Sequence, residues 1–292
     1  MKPLISLVGR NLRIFSRDRV GVFLSMLSPL ILFLLYALFL GNQQVEALGE
    51  SFPGAERAEI EAFINTWVFS GIVMITAVTT GLQAMNALVE DQVQGRFKDF
   101  LVSPVSRGNL VAGYLVSAMV ISLGVTVLVF AIGQTYLSLS GQSSLLLIDV
   151  LQVLGYIALL SVTFAALTAF LATFIPSTSG FTALATIVGT VMGFIAAIYV
   201  PMGILPDGVA NVISALPFAI AAMLLRGPLT SGALAELAGD NAGASEAMES
   251  FYGLTISVGE WTPTTVAAVF ILLGVAAMFT LASLARIRGR VR

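Results

Sequence analysis

Between residues 20 and 40 the chain carries no charged side chain. A run of about 20 mostly apolar residues is what a helix needs to cross the hydrocarbon core of a bilayer. Five more such runs follow, at about 63–89, 110–137, 145–175, 181–200 and 264–285. In hydrocarbon, backbone N–H and C=O groups find partners only inside helices or closed barrels. Unbroken runs of this length, with none of the ten-residue alternation of barrel strands, call for helices. The expected fold is an all-α polytopic membrane protein with six transmembrane helices. Composition agrees: 58% of the 292 residues are apolar and only 10% are charged, against about 25% charged in soluble domains. A soluble enzyme and a disordered chain are both excluded on these grounds.

The charges sort by side. Lys2, Arg10, Arg13, Arg17 and Arg19 precede the first run. Arg96, Lys98 and Arg107 lie between the second and third, and Arg286, Arg288, Arg290 and Arg292 follow the sixth. Segments of the opposite parity hold only Arg57 and Arg226, with most of the acids. Basic residues mark the cytoplasmic side, so both termini are expected in the cytoplasm of a multi-pass protein of the cell membrane. The net charge of −2 thus hides a balance of +8 on one side and −10 on the other. A cleaved signal peptide fits poorly, because the first run is too long for a signal core. The stretch 209–225 is also apolar, but a seventh crossing would place the four C-terminal arginines outside. With Pro217 interrupting it, it reads as an outer re-entrant helical hairpin, tolerated where protein covers it.

Cysteine and histidine are absent, so no metal site of the Cys/His kind is expected. Histidine acid–base chemistry is excluded too. The two lysines stand in Lys2-Pro3 and Lys98-Asp99, and neither gives the Gly-Lys-Ser/Thr of a phosphate-binding loop. The chain is not expected to bind ATP, nor any nucleic acid.

Two segments on the basic side invite partners. In residues 1–19, Leu4, Val8, Leu12 and Phe15 fall on one helical face, with Ser6, Arg10, Arg13 and Arg17 almost opposite. That pattern suits an interface helix with its arginines toward anionic lipid or a partner. Residues 90–109 form the longest basic-side connection between spans. Charges of both signs surround Phe97, Phe100, Leu101 and Val102. Gly95 permits a sharp turn, and Ser103-Pro104 stops a short helix. A short helix with exposed apolar residues at the membrane face can dock another protein.

The block Gly95-Arg96-Phe97-Lys98-Asp99-Phe100-Leu101-Val102-Ser103-Pro104-Val105-Ser106-Arg107 resembles the coupling-helix signature of the ABC-2 (type-2) ATP-binding cassette exporter permeases. Val200-Pro201-Met202-Gly203-Ile204-Leu205-Pro206, followed by Ile213-Ser214-Ala215-Leu216-Pro217-Phe218, is similar to that family's P-x-x-x-L-P and downstream proline pattern. The family often has Gly-Thr where this chain has Gly95-Arg96. The resemblance implies a type V ABC exporter-like fold, one transmembrane domain over residues 1–292. Its parts are a cytoplasmic amphipathic helix at 1–19, spans one to five at 20–200, an outer re-entrant segment at 201–262, span six at 263–285 and a cytoplasmic tail at 286–292. It further implies two paired permeases, as a homodimer or with a paralogue, in a membrane that is bacterial. Separate cytoplasmic ATPase subunits would hold ATP and Mg and dock on Glu90, Gly95, Arg96, Phe97, Lys98, Asp99, Phe100, Leu101, Pro104 and Arg107. The implied substrates are amphipathic drugs, antibiotics or lipid-like molecules. A polysaccharide or glycolipid precursor is the alternative cargo.

Intramembrane polar groups face protein or a cavity. Gln83 and Asn86, three apart, are expected on one face near the inner end of span two. Gly189 and Gly193 have the G-x-x-x-G spacing that lets helices approach closely, either within the chain or between two permeases. The acidic segments 46–61 and 234–259 read as solvated outer insertions, with an acidic helix at 55–62 and with a cap or partner-binding patch as the alternative; no metal-ligand geometry is visible. An ion-coupled secondary transporter would want ionisable groups inside the spans, where only Asp149 comes close. An intramembrane enzyme would want a nucleophile and base at one depth, and neither is visible.

Overall fold

The computed structural model describes residues 2–36, 39, 41–52, 54–96, 107–143 and 145–289. These form α1 (Lys2–Arg17), α2 (Arg19–Leu35), α3 (Gly41–Ser51), α4 (Arg57–Ala84), α5 (Asn86–Val93), α6 (Arg107–Leu139), α7 (Leu147–Ala172), α8 (Thr178–Ile195), a 3-10 turn (Met202–Ile204), α9 (Asp207–Ser214), α10 (Pro217–Ala238), α11 (Ala242–Phe251) and α12 (Thr265–Gly289). Among the described residues the only β pairing is an isolated bridge between Val258 and Trp261.

Helix α4 is the axis. It is buried along nearly its whole length and packs against α2, α3, α6, α7, α8 and α10. Lipid is as apolar as leucine, so helices in a bilayer associate through close packing and hydrogen bonding rather than through escape from water. The sequence of α4 is built for that. A Cβ at Gly71 would lie 2.3 Å from Ile198 Cγ1, so the glycine admits the turn that follows α8. Thr66, Ser70, Thr76 and Thr79 each donate to a backbone carbonyl three or four residues earlier, which satisfies their hydroxyls without water. The outer helices do the opposite. Leu128 and Ile132 on α6, Leu147 and Leu151 on α7, Ile187 and Phe194 on α8, and Phe270 and Leu281 on α12 are exposed, as lipid-facing surfaces require.

Among the described residues six helices are long and apolar enough to cross a bilayer, α10 among them, and α2 qualifies only jointly with α1. This differs from the sequence expectation in two places. In the first apolar run the α-helical part, α2, ends at Leu35; Tyr36 and Phe39 are π-helical, and residues 37, 38 and 40 lie outside the described residues. The 209–225 stretch is split at Ala215 and Leu216, and Pro217 opens a 22-residue helix instead of interrupting one. A proline at the first helical position loses no hydrogen bond. The contacts fix where the two limbs end. The Asn211 side chain in α9 accepts from Gly259 N–H, and Glu236 near the end of α10 lines a cleft with Asp149 in the first turn of α7. Both limbs therefore return to one end of the bundle, the end remote from α1.

Span five is also shorter than expected. It stops at Ile195 because Ile198 and Tyr199 both donate their N–H to the Gly193 carbonyl, in a turn that holds Ala197 at φ 50°. The ring of Tyr199 folds over Gly193, where a Cβ would sit 2.0 Å from it.

Candidate functional site

At the end of the bundle bearing α1, the chain bends by 78° between α1 and α2. Asp18 caps the new helix, its carboxylate accepting from Gly21 N–H at 2.9 Å. Helix α1 lies against α6: Leu7 fills the space above Gly113, and the buried Asn11 donates to Ser117 Oγ at 3.2 Å. Its buried line is Leu7 and Asn11, with Leu4, Val8, Leu12 and Phe15 half-buried. Arg13 and Arg17 are exposed as the helical pattern requires. Arg10 is not. It turns into the protein and grips Asp91 with both terminal nitrogens, at 2.7 and 2.8 Å. It sits on the shoulder of the amphipathic pattern, where a long side chain can reach inward.

Asp91 is buried. It also pairs with Arg96 Nε at 2.9 Å and accepts from the Tyr114 hydroxyl. Burying a carboxylate is tolerated only where charge and hydrogen bonds compensate, and here two guanidinium groups and a phenol supply both. The hydrogen bonds to Asp91 push the pKa of Arg10 above its ordinary value. Gly95 ends the local helix at φ 77°, the left-handed conformation that favours glycine. Arg96 comes straight after this turn. The knot therefore ties α1, α5 and α6 to the residue that leads into the predicted coupling helix. Asp91 was invisible to the sequence reading because its principal partner lies 81 positions away.

Of the expected docking residues, Glu90 is half-buried and accepts from Asn86 Nδ2 at 2.8 Å, while Gly95 and Arg96 shape the turn. Arg107 opens α6. Phe97, Lys98, Asp99, Phe100, Leu101 and Pro104 lie outside the described residues. Gln83 and Asn86 stand on either side of a turn at Met85 and make different contacts. Asn86 serves Glu90, whereas Gln83 is exposed into a cleft of about 440 Å³ between α2, α4 and α8. Apolar side chains (Ile31, Leu32, Ile75, Leu82) share its walls with Ser25, Thr79, Gln83, Thr186 and Thr190. Among the described residues no ionisable group except the Tyr199 phenol lines it. Gly189 lines the same cleft and a Cβ there would meet nothing, so the two glycines of the G-x-x-x-G spacing have different jobs.

At the remote end, Pro201 precedes the 3-10 turn and Pro206 precedes α9. Arg226, in α10, is buried there without an acidic partner among the described residues. It donates to the carbonyls of Ala196, Ala197 and Gly253 at 2.7, 2.8 and 3.1 Å, and its guanidinium lies 5.5 Å from the Trp67 ring. The carbonyls at the C-terminus of a helix carry partial negative charge, which is what a lone buried cation needs. The sequence did hold a signal for it: Arg226 is one of two basic residues on the acidic side. Among the described residues no group of three or more acids could hold a metal ion.

A family model described as ABC-2 type transporter matches residues 3–229, from the start of α1 to the middle of α10. The chain belongs to the ABC-2 type transporter family. It is a multi-pass permease subunit of an ABC transporter, a membrane component whose family works with an ABC ATPase. The permease finds no match among curated proteins. The matched range includes the residues of the Asp91 knot and those lining the cleft between α2, α4 and α8.

Proposed function

We propose that the permease is the membrane half of an ATP-driven exporter that moves amphipathic drug-like, antibiotic or lipid-like molecules outward across a bacterial cell membrane. The observation that carries this reading is the Arg10–Asp91–Arg96 knot, which fastens the N-terminal interface helix to the start of the coupling segment. A partner pushing on either is felt by both. Two ATPase subunits would bind ATP with Mg and dock on this face, and two permeases, identical or paralogous, would enclose the pathway. The 440 Å³ cleft supports the substrate class: it falls within the roughly 300–1,000 Å³ of small-molecule sites, and its mixture of alkyl walls and hydroxyls suits amphiphiles better than polyanions.

The orientation belongs to the proposal and is directly testable, because the chain has no cysteine. Single cysteines at Arg17 and Asn241, both exposed, are treated in intact cells with a membrane-impermeant maleimide. N241C is expected to label at once and R17C only after permeabilisation; the reverse pattern refutes the topology. The transport reading is tested in proteoliposomes holding the permease and its ATPase. ATP-dependent movement of a fluorescent hydrophobic amphiphile supports it. Transport of a polyprenyl-linked glycan with no such movement rejects the substrate class, and transport that needs a proton gradient and no ATP rejects the exporter.

A further inference from the structure

Helices α7 and α12 start together at the remote end, where Asp149 shares a cleft with Thr264 and Thr265, and they pack side by side toward the α1 end. The apolar stretch Thr265–Arg286 has 22 residues. At 1.5 Å each it is about 33 Å long, which matches a hydrocarbon core of about 30 Å. Arg286 therefore stands at headgroup depth. Its guanidinium carbon lies 3.7 Å from the centre of the Phe174 ring, just past the end of α7. That ring is exposed and is held from behind. Phe170 packs edge-on against it at 5.0 Å, and Phe279 of α12 backs Phe170 at 5.3 Å. A guanidinium resting on an aromatic face uses its flat side there. Its N–H donors lie in the plane and point away from the ring.

No acid among the described residues answers this cation. The chain has no charged side chain from Val150 to Pro206, which covers all but the start of α7 and the whole of α8, and no acid after Glu260. Arg286, Arg288, Arg290 and Arg292 follow one another at the end of α12 and beyond. The described acids at the α1 end are engaged elsewhere: Asp18 by Gly21, Glu90 by Asn86, and Asp91 by Arg10 and Arg96. Arg286 makes no hydrogen bond or ion pair among the described residues. The surface beneath it is apolar, with Met278 exposed about two turns deeper on α12. The corner thus asks for a ligand with a negative charge at headgroup depth and an apolar body below it.

We propose that the corner of α7 and α12 is a binding site for an anionic phospholipid. Its phosphate takes the outward N–H groups of Arg286, which can hold two oxygens at once, and its acyl chains pass Phe174 and Met278. A zwitterionic lipid has the same phosphate but carries its own ammonium toward a cluster of arginines, so the net-negative headgroup is the one selected. The site requires only the membrane-spanning fold, so its test does not depend on whether export is the function.

The probes are phosphatidylglycerol and phosphatidylcholine brominated on the upper acyl chain, which quench tryptophan on contact, in liposomes holding the full-length permease. Met278→Trp reports on the corner. Phe270→Trp, exposed on the same helix nearer its other end, is the control, and the native Trp67 and Trp261 give the background. Phosphatidylglycerol is expected to be preferred about 5-fold at position 278, the preference that one arginine at an anionic surface confers, and not to be preferred at position 270. Arg286→Gln should abolish the preference, Phe174→Leu should reduce it, and Arg286→Lys should retain part of it. Equal quenching by the two lipids at position 278 overturns the anionic assignment. The same preference at both positions, or one that survives Arg286→Gln in protein with a normal size-exclusion profile, overturns the location. Loss of the preference in millimolar inorganic phosphate, but not in sodium chloride of equal ionic strength, overturns the lipid as the ligand.

Discussion

Replacing Asp91 by asparagine tests the knot at its centre. The substitution keeps shape and leaves an acceptor for the Tyr114 hydroxyl, but it removes the charge that two arginines share and turns an N–H₂ toward their N–H groups. The two arginines are not equivalent. The Arg96 side chain is 46% exposed and rehydrates freely, so its pairing is worth under about 1 kcal/mol. Arg10 is 28% exposed and makes two short bonds to a carboxylate that is 2% exposed. Charge-assisted bonds of this kind contribute about 1.5–3 kcal/mol, so a loss of about 2 kcal/mol falls on the docking of α1. Leu7 over Gly113 and the Asn11–Ser117 bond remain, which makes local release of α1 the expected outcome, and not global unfolding. At about 1.4 kcal/mol per decade, amide exchange in residues 2–17 should accelerate about 30-fold, read by hydrogen–deuterium exchange mass spectrometry in nanodiscs. Peptides from α7 and α12 should not change. Arg96→Gln should give no more than about 5-fold. Exchange in α1 that is indifferent to Asp91→Asn, or an acceleration spread evenly over the bundle, refutes the reasoning.

Arg226→Met should orphan three buried carbonyls and cost about 3–5 kcal/mol, a fall of roughly 10 °C in the melting temperature in detergent. Arg226→Lys, which keeps charge without the planar fork, should fall between the two; a methionine variant as stable as the parent would show that the cation is dispensable. Gly193→Ala drives a methyl into the Tyr199 ring and should destabilise by about 1–3 kcal/mol. Gly189→Ala, which meets open space, should be neutral or slightly stabilising in the same melts, and equal effects would contradict the different roles assigned to the two glycines.

The spans were legible because hydropathy over 20 residues needs no knowledge of partners. The break at Met85 and the stop at Ile195 were not, since each depends on who accepts which backbone bond: the doubled acceptance by Gly193 O is created by a turn that has no proline or exposed glycine to announce it. Pro217 misled in the other direction, because a proline reads as an interruption until the helix start is placed upon it. The same division holds at the site. Gly95 declared its turn through its type, and Arg10 declared only that it was basic. Its meeting with Asp91 is a product of α1 lying across α6, which a helical wheel drawn for one segment cannot contain.

Helix α4 has 28 residues, and at 1.5 Å each it is about 42 Å long, some two turns more than a hydrocarbon core of about 30 Å requires. The excess is a post. The lobe of α3 and α11 is mounted on it through Phe63, Trp67 and Tyr252, and Asp91 lies just past its other end. The lobe is thereby bolted to a long helix and not hung from a loop, so a tilt of α4 would carry the lobe with it.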